Sequence, residues 1–236
     1  MINKTETLQR TATQPDAQAA QESLTSRVYA RLRADILAGR LEPARKLKIE
    51  DLRKSYGAGA SPIREALSHL ASDHLVERLD QRGFRVTDVS GEEFNELRKT
   101  RCWLEERALR ESIAHGGPDW EERVVLAAYR LSSVPWSKSA DEYVVNGEWE
   151  DLHKAFHMAL ISACGSAILL RFCSQLYDQN IRYRVLSNRA AYRERDSSAE
   201  HEAIREAALA RDADLAVERL LAHYSRTGSY LRDTFD

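Results

Sequence analysis

Val28, Leu32 and Ile36 recur every four residues between Ser23 and Ala38, the spacing that gathers apolar side chains on one helix face, and the pattern stops near Gly39. After the loop LEPARKL a second short helix opens near Ile49 and runs to Tyr56. The glycines of Gly57-Ala58-Gly59-Ala60 favour a turn and end it. Pro62 suits the first turn of a third helix, where its missing N–H costs nothing, and Ile63, Ala66, Leu67 and Leu70 give that helix an apolar face. Past Leu75 the period shortens to two: VERL and FRVTDV read as strands around a tight turn at Gln81 to Gly83. Three helices followed by a hairpin is the order of a winged helix-turn-helix.

From Val89 onward every long segment has a helical period. Ser90 and Glu93 form a capping-box pattern for a helix to about Ile113, and Pro118 begins the next. Further helices are expected at about 143–163, 166–188, 196–210 and 213–234. The fold class is therefore mainly α, an N-terminal winged helix-turn-helix plus a C-terminal six-helix antiparallel bundle. The domain division is a flexible polar tail over 1–22, a DNA-binding unit over 23–88 and a helical unit over 89–236.

The charge balance sharpens this division. The whole chain of 236 residues has a formal net charge of only -2, but Leu24–Asp88 holds 13 Lys and Arg against 9 Asp and Glu, while the rest of the chain to Asp236 holds 20 against 25. A basic first part and an acidic second part suggest that the first meets a polyanion, although an excess this small also arises by chance. No apolar stretch nears the roughly 18 residues that cross a bilayer, and MINKTETLQRTATQPDAQ lacks the apolar region of a secretory signal. The chain is expected in the cytoplasm, with no membrane partner. Three cysteines at irregular spacing match neither a disulfide framework nor a zinc finger and are expected reduced.

In a helix-turn-helix the second helix of the pair enters the major groove with its first residues toward the bases. Ser61 and Arg64 lie on the exposed early turns of the third helix, Lys46 and Lys48 precede the second, and Arg82, Gly83 and Arg85 mark the hairpin where a wing would meet the backbone. The alternative for Arg64 is an ion pair with Glu65. In the helical part, His153 and His157 are i, i+4 neighbours, close enough to share one metal ion, and His201 and His223 sit on two later helices beside apolar residues. A bundle can bring four such side chains to one point, although any one of them alone fits a surface or core position equally.

At this point the chain resembles the bacterial GntR-type regulators. The segment RVYARLRADILAGRLEPARKLKIEDLRKSYGAGASPIREALSHLASDHLVERLDQRGFRV follows that family's DNA-binding domain nearly end to end, through ILAGRLEP, PIREAL and RGFRV. There are departures. Pro43-Ala44 stands where most members have Pro-Gly, and Gly59-Ala60 replaces a Ser-Arg whose arginine reads a base. Arg64 and Gly83 match the family's helix arginine and wing-tip glycine.

From Val89 to Gly228 the chain looks like the all-helical (FCD-type) ligand-binding domain of the FadR branch. There the resemblance implies a divalent metal held by Asp-x-x-x-His on one helix and one His from each of two others. Here His153 takes the aspartate position, and His157, His201 and His223 match the rest. Four imidazoles favour zinc, with nickel possible, over magnesium or calcium. The branch also holds a carboxylate effector with an arginine, and the pattern Arg-x-x-Leu-Glu matches Arg101, Leu104 and Glu105. A surface pair of Arg101 with Glu105 is the competing reading. Ser166 stands where many relatives have asparagine, and Tyr177, Asn180 and Tyr183 suit either the pocket wall or the aromatic core.

The expected function is a transcription regulator, a repressor in the first instance. It acts as a homodimer on a palindromic double-stranded operator and responds to a small carboxylate effector at the metal. Two alternatives stay open: a metal-dependent hydrolase in the helical part, and a regulator whose metal is purely structural.

Overall fold

The structure is a computed structural model that describes residues 23–79, 83–192 and 194–231. The expected tail over 1–22, Gln81 and Arg82 of the hairpin turn and the last five residues lie outside them. The first unit comprises α1 (Leu24–Leu37), β1 (Lys46–Leu47), α2 (Ile49–Tyr56), α3 (Ala60–Ser72), β2 (Val76–Leu79) and β3 (Gly83–Val86). Ser23 caps α1 through its hydroxyl, and Gly57 ends α2 in the left-handed conformation at φ 63°, which a residue without Cβ adopts freely. β2 and β3 pair antiparallel with Val76 opposite Val86 and Leu79 opposite Gly83. The sequence pattern missed β1. Two residues are too short to show alternation, and only pairing with β3, Lys46 opposite Arg85, makes them a strand.

Ala44 has φ 59°, in the left-handed region that favours glycine. Its Cβ crowds the following carbonyl there, at a cost of about 1–2 kcal/mol, against which glycine gives back about 0.4–1 kcal/mol in the unfolded chain. Ala44→Gly should therefore stabilise the protein by roughly 0.5–1 kcal/mol, read as a higher denaturation midpoint at unchanged slope. A lower midpoint would contradict it.

Six helices follow: α4 (Gly91–His115), α5 (Pro118–Ser132), α6 (Gly147–Leu160), α7 (Ala167–Ala191), α8 (Ser197–Leu209) and α9 (Ala213–Ser229). Pro118 occupies the first turn of α5, and Ser90 Oγ accepts the Glu93 amide as a capping box requires. The reciprocal half of that box is not made, because the Glu93 carboxylate accepts instead from the Tyr183 hydroxyl at 2.6 Å. α6 starts four residues later than the periodicity suggests. Residues 133–146 form a strap in which Val145 bridges to Ser137. α4 packs against α7 and α9, α5 against α6 and α8, and α8 against α9. Among the described residues no helix is long and apolar enough to cross a membrane, and the three cysteines are free, Cys164 and Cys173 buried and Cys102 partly so.

The two units share a core. Tyr143, Tyr177, Ile181 and Val185 of the helical unit are continuous with Val28, Leu32 and Ile36 of α1. Polar contacts reinforce the joint. Arg182 donates to the carbonyls of Thr87 and Asp88 at 2.5 and 3.2 Å, and Arg189 donates to the Ala38 carbonyl at 2.8 Å. Asp178 accepts from Lys154 at 2.6 Å and lies 3.6 Å from Arg33 of α1. α7 is thus the helix through which the bundle holds the first unit.

Candidate nucleic-acid interface and metal centre

On the first unit, α3 presents Ser61 and Arg64 to solvent while Ile63, Ala66, Leu67 and Leu70 are buried. Glu65 does not pair with Arg64. It accepts from Thr25 of α1 at 2.8 Å and from Ser61 at 3.4 Å, and among the described residues no carboxylate lies within ion-pairing reach of Arg64. Lys46, Lys48 and Gly83 are also exposed. Arg85 is held by Glu77 across the hairpin at 2.5 Å, so it offers phosphate a shared rather than a free charge. A groove of about 480 Å³ between α3 and the hairpin is lined by Ile49, Arg64, Ser68, Arg78, Leu79, Gly83 and Phe84. Sequence reasoning passed over Arg78, whose signal is weak: it faces the groove only because β2 folds back, where it donates to Ser68 at 3.1 Å and stacks over Phe84.

Arg64 lines this groove with no ion-pair partner among the described residues, and Arg64→Ala should lower operator affinity about 5- to 150-fold, the range of one lost base contact at about 1–3 kcal/mol. Fluorescence anisotropy with operator DNA at fixed salt measures it. A uniform loss on specific and random DNA would instead assign Arg64 to phosphate.

In the helical unit α6 supplies His153 and His157, α8 His201 and α9 His223. All four rings are buried, with one ligand atom of each within 4.8 Å of the others. His153 Nε2 lies 3.0 Å from His201 Nε2 and 3.2 Å from His157 Nε2. Nitrogens about 2.0–2.1 Å from a tetrahedral zinc ion stand about 3.3 Å apart, which these two separations approach, while the full set spreads up to 4.8 Å. The Nδ1 atoms of three of the rings are engaged. Tyr177 hydroxyl meets His153 Nδ1 at 2.5 Å and Tyr224 hydroxyl meets His157 Nδ1 at 3.1 Å. His223 Nδ1 donates to Glu200 at 2.7 Å, since a carboxylate only accepts. Tyr224 in turn donates to Glu105. A ring whose Nδ1–H is so held keeps its Nε2 lone pair for a ligand.

The electrostatics agree. Burial, joined by the charge of Arg184 and the neighbouring imidazoles, holds His153 well below its ordinary pKa. Burial and the neighbouring histidines do the same for His157, and burial with His223 and Arg195 for His201. Burial lowers His223 to about 4 despite its bond to Glu200. Burial raises the Glu200 carboxyl, but bonds from His223 and Arg195 outweigh that and hold it below the usual carboxylate range. The four rings are therefore neutral at pH 7, the state in which imidazole binds metal. Around them stand three buried ion pairs, Arg101 with Glu105, Arg184 with Glu150 and Arg195 with Glu200. Their charges cancel, so a divalent ion placed here carries excess positive charge and favours an anionic ligand.

The expected effector residues separate. Tyr177 bonds His153, and Asn180 lines a small recess with Arg101 and Tyr224. Arg101 Nε donates to Glu105 at 2.9 Å, and Nη2 lies 2.9 Å from the same oxygen but off the line of an N–H. The competing i, i+4 pair thus exists, in the interior rather than at the surface. Ser166 caps α7 by accepting the Leu169 amide. Eleven residues of helix, about 16 Å, separate it from Tyr177. Tyr183 faces the start of α4, tilted against Phe94 at 5.2 Å, because six residues after Tyr177 α7 has turned that side chain away. Sequence reasoning missed Trp149, stacked on His153 at 4.6 Å, and Glu200 and Arg195, whose roles depend on contacts between helices.

The chain matches two family descriptions, "Bacterial regulatory proteins, gntR family" over residues 24–86 and "FCD domain" over residues 96–226. It is 43% identical over 213 residues to the HTH-type transcriptional regulator BphR of Paraburkholderia xenovorans, covering 89% of this chain and 86% of the relative. It is 33% identical over 199 residues to the HTH-type transcriptional repressor GlaR of Escherichia coli, covering 83% and 90%. Among solved structures, E. coli McbR/YncC superposes with a TM-score of 0.68 at 19% identity, covering 92% of this chain and 100% of that one. A transcriptional regulator from Rhodococcus sp. RHA1 gives 0.69 at 20% identity, covering 90% and 99%. These two show the shared fold.

Proposed function

The chain belongs to the GntR family of bacterial regulatory proteins and carries an FCD domain, so it is a DNA-binding transcription regulator and not an enzyme, and on that premise we propose that it is a metal-dependent sensor of a small carboxylate that represses transcription as a homodimer. The convergence of four neutral, buried imidazoles on one point carries this reading. Zinc fits the donor set best, with nickel second. A structural metal alone would need no anionic partner. The balanced Arg–Glu pairs around the histidines leave the ion's charge to be met by a ligand, and this favours a sensor.

α7 links the two events. It carries Tyr177 at the histidines and Arg182 and Arg189 at the DNA-binding unit, so a ligand that moves α7 changes how that unit is held. Such a ligand acts only by preferring one arrangement over the other. A second copy would cover exposed apolar side chains on the helical unit, among them Trp103, Tyr129, Ile168 and Phe172, and would set two recognition helices on the two halves of a palindrome.

The test measures bound metal on the purified protein and then operator affinity across a panel of carboxylates, with and without chelator. One zinc per chain and an operator affinity that shifts with one acid class only in the metal-loaded form is the expected outcome. Full metal occupancy with operator affinity indifferent to every carboxylate at saturation would leave a structural metal instead.

A further inference from the structure

Three buried arginines face the histidine centre, and they are not equivalent. Arg195 is engaged throughout: Nε and Nη2 hold Glu200 at 3.0 and 2.7 Å, Nη1 donates to Thr227 at 3.1 Å, and Nη2 also reaches the His223 carbonyl at 3.0 Å. Arg101 donates to Glu105 through Nε, while its enclosed Nη2 stands 2.9 Å from the same oxygen without a hydrogen bond, and its guanidinium lies 4.3 Å over the Tyr224 ring. Arg184 meets Glu150 through Nη2 alone. Its Nε and Nη1 are enclosed, with no protein acceptor among the described residues, in a residue only 4% exposed.

The position of this guanidinium points to what it awaits. Its central carbon lies 4.7 Å over the ring of Tyr177, whose hydroxyl meets His153 Nδ1 at 2.5 Å. Glu150, which Nη2 meets, sits one turn before His153 on α6. Enclosed N–H groups without an acceptor are costly, and native interiors keep very few. A guanidinium is also the group best shaped to take a carboxylate.

We propose that Arg184, rather than Arg101, is the residue that grips the carboxylate of a small organic acid at the histidine centre. This rests on the reading of that centre as a metal-loaded carboxylate sensor. Glu105, one turn away on its own helix, bonds Arg101 Nε and stands 2.9 Å from its enclosed, unbonded Nη2, so its carboxylate already faces the nitrogen a ligand would need. Glu150 occupies only one nitrogen of Arg184 and leaves two for the ligand. The ligand's negative charge then offsets the ion beside it, while Glu150 competes for the same guanidinium and weakens the grip.

The test uses full-length protein loaded with cobalt(II), whose visible bands report both occupancy and any change at the metal, and acetate as the probe at constant ionic strength. Because Arg184→Met alone would leave Glu150 buried and unpaired, the paired variant Arg184→Met/Glu150→Gln is used, with Arg101→Met/Glu105→Gln as its counterpart. Acetate should alter the bands of the parent protein. The Arg184 pair should weaken acetate at least tenfold with one cobalt per chain retained, and the Arg101 pair should weaken it less than threefold. Glu150→Gln alone should tighten acetate several-fold, a gain that misfolding cannot produce. Cobalt bands that ignore acetate, that shift equally in the parent and the Arg184 pair, or that lose acetate only in the Arg101 pair would overturn the assignment of Arg184 and leave the metal reading standing. No cobalt bands in the parent protein would overturn the metal reading and this proposal with it.

Discussion

With zinc at about a thousandfold excess over its dissociation constant, the protein is expected to melt about 8–16 °C above its chelator-stripped form. A ligand bound only by the native state at that excess contributes about 4 kcal/mol. In a chain of this size each kcal/mol moves the midpoint by about 2–4 °C. The gain rests on all four imidazoles, so His157→Ala should remove most of the zinc-dependent rise. Thermal melts of both proteins, with zinc and with chelator, check this. A rise of equal size in His157→Ala would place the metal elsewhere.

The second large effect is acid sensitivity of the metal-free protein. Each ring takes a proton near pH 6.5 in the unfolded chain, whereas burial keeps His153, His157 and His201 from protonating until well below that in the folded one, and His223 until about 4. Folded values below unfolded ones mean that the unfolded state binds more protons. Stability is therefore fully present above pH 6.5 and lost as the pH falls below it, at about 1.4 kcal/mol per pH unit for each ring. From pH 7 to pH 5.5 the four together should remove about 5 kcal/mol, a large part of the stability of an ordinary domain. Urea denaturation of the chelated protein across that range measures the loss. Replacing the cluster with His153→Gln and His201→Gln together should about halve the slope, and an unchanged slope would assign the acid sensitivity to other groups.

Much of this protein is legible in its sequence. The four-residue apolar spacing of α1, the glycine break after Tyr56 and the change of period after Leu75 place the helix-turn-helix and its wing within a few residues, because local periodicity fixes which face must be buried. The same holds for the six later helices, where Pro118 and the Ser90 cap mark their own boundaries. The pairing of His153 with His157 is also local, since four residues make one helical turn.

What the sequence leaves open is set by contacts between residues distant along the chain. β1 is a strand only because β3 lies beside it, and Glu93 abandons its cap partner only because Tyr183 arrives from 90 residues away. The spacing of the four rings, the bond from His223 to Glu200, the capture of Arg101 by Glu105 in the interior and the unmet nitrogens of Arg184 depend on how α4, α6, α7, α8 and α9 pack. Periodicity states that a side chain faces inward, but whether it finds a charge, a lone pair or nothing there depends on which other helix turns the same way. Local pattern suffices for the helices, the hairpin, the family and the four histidines, whereas packing settles β1 and which buried charges find a partner, because burial makes each unpaired polar group costly only once its neighbours are in place.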